Sequence, residues 1–166
     1  MLFRSAANWF GEKVRFSGDE AVGMGLGLPE YATIVVAEAR DGDAARRARV
    51  IRLLHDYDEA RKLGPEKPLG STRLSDSPEQ RRAATDKAAL FYIALEDSCG
   101  EGPVRQGLRD LVELLKGQEA AYHDLRAALE YTTKKNLEES FRTWLRGAGI
   151  PEDFRARYEP AHQTQP

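Results

Sequence analysis

The side chains able to do chemistry are few and scattered along the chain. His55 and Glu59 stand four apart, which puts both on one face of a helix and would let them share a metal ion. No third ligand keeps step with them, so they read as a solvated surface pair. His123 and His162 are too distant in sequence to offer ligand spacing. Cys99 sits beside Gly100 at an expected helix end with no histidine near it in sequence, and reads as a buried or half-buried thiol, not a nucleophile. Gly23-Met24-Gly25-Leu26-Gly27 offers glycines for a phosphate loop. It has no strong strand before it and no Lys-Ser/Thr after it, so it reads as a flexible connector. Arg46-Arg47-Ala48-Arg49 and Arg52 are basic, but Asp41, Asp43, Asp56, Asp58 and Glu59 flank them. A solvated helix face fits that mixture better than a nucleic-acid patch.

Composition narrows the classes further. In 166 residues, 31% are charged and 41% hydrophobic, the balance of a folded soluble chain with a real core. A net charge of −2 gives no footing for nucleic acid or an anionic membrane surface. One cysteine excludes an internal disulfide framework and fits a reducing, cytoplasmic setting. No apolar run approaches the roughly 20 residues of a membrane helix. Met1-Leu2-Phe3-Arg4-Ser5 lacks the apolar stretch of a secretory signal, and so abrupt a start is compatible with a fragment of a longer protein. Residues 1–160 are expected to form a single helical domain. The polar tail 161–166 is expected to be disordered.

The elements that must position these residues are helices. Residues 2–13 carry Phe3, Ala6, Ala7 and Phe10 on one side. Val14-Arg15-Phe16 alternates as a short extended segment, and Ser17-Gly18-Asp19 turns. Pro29 suits the first turn of a helix running to about Arg40, broken at Asp41-Gly42-Asp43. Residues 44–62 turn Val50, Leu53, Leu54 and Tyr57 inward. After a loop, Ser77-Pro78-Glu79-Gln80 spells an N-cap, a first-turn proline and a capping-box glutamine, opening a helix to about Ser98. Further helices are expected over 103–117, 122–132 and 137–146, with Trp9 and Trp144 as core anchors. The fold class is all-α: an irregular bundle of six or seven short helices with no convincing sheet.

Four pieces of sequence then fall into a shared frame: Asn8-Trp9-Phe10-Gly11, Gly27-Leu28-Pro29-Glu30-Tyr31-Ala32-Thr33, Asp86-Lys87-Ala88-Ala89-Leu90, and Phe141-Arg142-Thr143-Trp144 through Gly149-Ile150-Pro151. In order and spacing they resemble the aminopeptidase-N type of gluzincin metallopeptidase, across residues 3–158. The resemblance implies the helical subdomain of a thermolysin-like catalytic domain. That family holds zinc with the two histidines of H-E-x-x-H and a later glutamate. The glutamate between the histidines activates the metal-bound water, and a tyrosine donates to the developing oxyanion.

In that frame the first histidine falls on Phe3, the catalytic glutamate on Arg4 and the second histidine on Ala7. Leaving eighteen residues after Ala7 puts the third ligand at Leu26, and the tyrosine falls on Thr85. No H-E-x-x-H occurs in the chain, and neither the family's Gly-x-Met-Glu-Asn strand nor its β-rich lobe is present. Phe3, Ala7 and Leu26 are expected to close the former metal hollow as ordinary core. Ala88, where the family usually has glycine, favours the helix by about 1 kcal/mol. Glu30 and Asp86 are expected near helix starts, where the macrodipole favours carboxylates, in preference to being remnants of a cleft.

The reading that follows is a catalytically inactive, metallopeptidase-like helical domain without zinc, with a structural or interaction role. It is either a natural remnant or a redesigned scaffold. The alternatives are a zinc-dependent aminopeptidase, or a fragment of one, and a peptide- or partner-binding module using a residual groove.

Overall fold

The computed structural model describes residues 14–18 and 21–159. The helix expected over 2–13, with Phe3, Arg4, Ala7 and Trp9, and the tail 161–166 lie outside the described residues. Among the described residues the chain runs β1 (Arg15–Phe16), α1 (Ala21–Asp41), α2 (Asp43–Leu63), α3 (Pro78–Cys99), α4 (Glu101–Leu114), β2 (Glu119–Ala120), α5 (Tyr122–Thr133), α6 (Glu138–Arg146) and α7 (Glu152–Tyr158). This is the expected all-α bundle. A two-residue parallel pairing of β1 with β2 sets Arg15 opposite Glu119.

Helix α3 is the axis of the bundle. Ser77 caps it, its side chain accepting from the Gln80 N–H while the Gln80 side chain reaches back, with Pro78 in the first turn. Ala88, Ala89, Leu90, Phe91, Tyr92 and Ile93 are all buried in succession, so this stretch is covered on every side. Helices α1, α2 and α4 pack against it, and α5 packs on α4. Phe91 meets Phe141 edge-on at 4.9 Å and Trp144 at 5.8 Å, and Trp144 meets Phe154 at 5.4 Å, which seats α6 and α7 on the axis. Helix α7 is an addition to the sequence reading, in which Gly147, Gly149 and Pro151 end the last helix. Pro151 instead precedes a new one, opened by Glu152 and Asp153 in its first turn.

Two departures from expectation position the site. Gly23, Gly25 and Gly27 are not a connector but lie within α1, and Pro29 sits inside that helix, not at its start. The glycines provide closeness. A Cβ on Gly27 would stand 2.5 Å from the Ala88 Cβ, and one on Gly23 would stand 2.3 Å from the Leu69 carbonyl oxygen. Helix α1 therefore lies on α3 almost backbone to backbone, and Ala88 fills the space that Gly27 leaves. The helix breaks expected at Gly42 and Gly100 are present and brief. A single residue separates α1 from α2 and α3 from α4, and each is a glycine at positive φ: Gly42 at 80° and Gly100 at 89°.

Candidate functional site

Helices α1, α2 and α3 enclose a polar cleft of about 360 Å³. Glu30 of α1, Arg49 and Asp56 of α2, and Arg82, Thr85 and Asp86 of α3 line it. Arg82 is its clamp, donating from Nε to Asp86 Oδ2 at 3.0 Å and from Nη2 to Asp56 Oδ2 at 3.0 Å. Asp86 is the buried member, with 3% of its side chain exposed. Burial pushes its carboxyl up to about 6; Arg82 opposes the rise, and Asp56 and Glu30 add to it. The cleft can therefore take up a proton slightly below neutrality. Neither Glu30 nor Asp86 is at a helix start, because α1 begins at Ala21 and α3 at Pro78. Both are mid-helix residues on the cleft, which corrects the macrodipole reading.

Thr85 stands on the cleft wall, but its hydroxyl donates to the Arg81 carbonyl at 2.8 Å and so is used within its own helix. Leu26 precedes Glu30 by one turn on α1, at the spacing that shares a helix face. It is half-buried. Neither residue offers zinc a ligand, since one is hydrocarbon and the other a hydroxyl bonded to backbone. Among the described residues no group of three His, Cys, Asp or Glu is placed to hold a metal ion. His55 and Glu59 are exposed on α2 with Nε2 to Oε1 at 3.8 Å, as a surface pair should be. His123 is exposed beside Asp124, and Cys99 is half-buried with Ser98 Oγ 3.5 Å from its sulfur.

Two buried ionic clusters were missed in the sequence. Arg46, expected on a solvated face, is buried. It pairs with Glu96 through Nη1 and with Asp97 through Nη2 at 3.1 Å. Glu96, its side chain fully enclosed, also accepts from Tyr31 Oη at 2.6 Å and Arg105 Nε at 2.7 Å. Burial and the Glu96 carboxylate raise the Tyr31 phenol, which stays protonated. The second cluster is Lys87 with Glu66. Lys87 Nζ donates to Glu66 Oε1 at 2.8 Å and to the Gly147 carbonyl at 2.7 Å. Burial lowers Lys87, and Glu66 counters it. Glu66 also accepts from Tyr57 Oη at 2.7 Å and from the Gly149 N–H at 2.8 Å. These groups fasten helices and loops together, and the Glu96 and Glu66 carboxylates each accept from several donors.

This fold is shared with solved structures. The fold resembles the helical domain of M1 zinc metallopeptidases. An M1 zinc metallopeptidase mutant from Deinococcus radiodurans, bound to a Tyr-Ser-Ala substrate, superposes with a TM-score of 0.69 at 24% identity, over 90% of this chain and 33% of that one. A two-domain M1 zinc metallopeptidase mutant bound to L-tryptophan gives 0.70 at 23% identity, over the same shares. The M1 zinc metallopeptidase from D. radiodurans gives 0.69 at 23%, over 90% and 32%. The chain thus spans about a third of the length of these proteins. No protein-family model matches the sequence, and no curated protein does. No helix among the described residues is long and apolar enough to cross a membrane.

Proposed function

We propose that the chain is a catalytically inactive, metallopeptidase-like helical domain of the aminopeptidase-N type, retained for a structural or interaction role. The observation that carries this is Thr85. It occupies the position matched to the family's oxyanion-donating tyrosine, yet its hydroxyl is short and donates to Arg81. Leu26, at the position of the third ligand, supports the same reading from α1, as do Phe3, Arg4 and Ala7 in the sequence. Zinc does not fit these residues, so no catalytic step is drawn through it. The cleft is left with Arg82 held between Asp56 and Asp86, ion pairs that brace α2 against α3.

The test is metal content and turnover on the purified chain. After incubation with zinc and dialysis, metal analysis is expected to find far less than one zinc per chain. Amino-acid amide substrates should not be turned over, since losing a base and an oxyanion donor costs on the order of 10²–10⁴-fold each. About one bound zinc, or chelator-sensitive turnover that copurifies with the chain, would overturn the proposal. A second reading, a peptide- or partner-binding module, has the open cleft in its favour. A peptide screen repeated on Asp86→Asn separates it from a purely structural role.

A further inference from the structure

Helix α1 buries Leu28, Tyr31 and Ile34. At the edge of that apolar face Ala32 and Val35 are half-buried, and Val36 is 37% exposed. Helix α4 supplies the opposite wall, and between Val36 and Ala32 on one side and Leu108 and Val112 on the other lies an apolar groove of about 200 Å³. Charge enters only at its edge, through Arg105 and Arg109, one turn apart on α4. Arg105 is committed to Glu38, Glu96 and Glu101. Arg109 has no carboxylate partner among the described residues; its Nη2 donates to Gln106 Oε1 at 2.8 Å.

We propose that this groove binds a medium-chain alkyl carboxylate, its acyl chain lying between α1 and α4 and its head group on Arg109. An apolar pocket with few convergent polar groups is the usual form of a small-molecule site. The complement of hydrocarbon beside a guanidinium with no carboxylate partner among the described residues is an apolar tail with an anionic head. A peptide suits the groove less well. Both walls are helices whose backbone groups are used in their own ladders, so buried peptide amides would find no partners. An acyl chain has none to satisfy. The groove involves neither Leu26, Thr85 nor the polar cleft, so the proposal stands apart from the question of zinc.

The experiment titrates the whole chain with octanoate below its micellar range, followed by calorimetry and methyl NMR. Octylammonium, octanol and a short peptide ending in leucine serve as comparison probes. Saturable octanoate binding is expected, with shifts centred on Val36, Leu108 and Val112. Arg109→Glu should weaken it by about twofold to fivefold, the scale of an exposed ion pair, and Ala32→Trp should abolish it by filling the groove. Should Ala32→Trp fail to fold, Val36→Asp at the exposed rim makes the same test. Equal binding of octylammonium, tighter binding of the peptide, shifts centred elsewhere, or octanoate binding unchanged in the Arg109 and groove variants would each overturn the proposal.

Discussion

Replacing Glu96 by alanine should be among the most damaging single changes in the chain. Glu96 is fully enclosed and receives Tyr31, Arg105 and Arg46. The arginines left behind are poorly solvated, with 9% of the Arg46 side chain and 23% of the Arg105 side chain exposed. Breaking a buried ion pair from one side costs about 3–5 kcal/mol. Glu38, Asp97 and Glu101 remain to hold part of the charge, which places the expectation near the lower end, about 3 kcal/mol. Urea unfolding of the variant and its parent, compared through midpoint and slope, measures this. Glu101→Ala is the control. It removes a partner at 3.2 Å that is 46% exposed, and should cost less than about 1 kcal/mol. The double variant Glu96→Met, Arg46→Met should recover much of the loss, because it leaves fewer charges unpaired. If Glu96→Ala falls within about 1 kcal/mol of the parent, the cluster does not hold the bundle together and the argument fails.

Three further changes probe the rest of the packing. Gly27→Ala should destabilise by about 1–3 kcal/mol in the same unfolding assay, because overpacking against Ala88 outweighs the gain in helix propensity; Ala88→Gly should relieve it in part. Lys87→Ala should cost about 2–5 kcal/mol and loosen the Gly147–Gly149 loop, read by amide exchange at Gly149. Asp86 binds its proton more tightly folded than unfolded, about 6 against an ordinary 3.8, so its contribution to stability falls as pH rises between those values. Relative to Asp86→Asn, the parent should therefore lose on the order of 2 kcal/mol from pH 4 to pH 7, and parallel stability profiles for the two proteins would refute this.

The sequence spoke most clearly where local chemistry and tertiary role agree. Ser77-Pro78-Glu79-Gln80 announces α3, and the observed capping box is the one its residue types require. The all-α class follows from helical spacing repeated along the chain. Glycine misled, because its helix propensity is poor and a close approach to Ala88 on a distant segment cannot be seen locally. Arg46 misled for a related reason: a run of mixed charges looks the same whether it faces water or a buried Glu96 fifty positions away. Of the cleft, the sequence points to Glu30, Thr85 and Asp86. The roles of Arg82 and Asp56 depend on α2 lying beside α3 and are not legible locally.

The small parallel pairing of β1 with β2 gives the chain an uneven set of loop closures. Single residues join α1 to α2 and α3 to α4, so the contacts within each of these pairs close small loops. The strand pair instead joins segments about a hundred residues apart, Ser17 Oγ reaching Glu119 across 102 positions. It offers few bonds in return, among them Arg15 N–H to the Gln118 carbonyl at 3.3 Å and Ser17 N–H to the Ala120 carbonyl at 3.2 Å. Val14, Val112 and Ala120 form a small cluster behind it, and Phe16 links that cluster to the main core. The strand pair is therefore a long-range closure held by few bonds, the kind of contact whose loop entropy is largest for the bonds it gains.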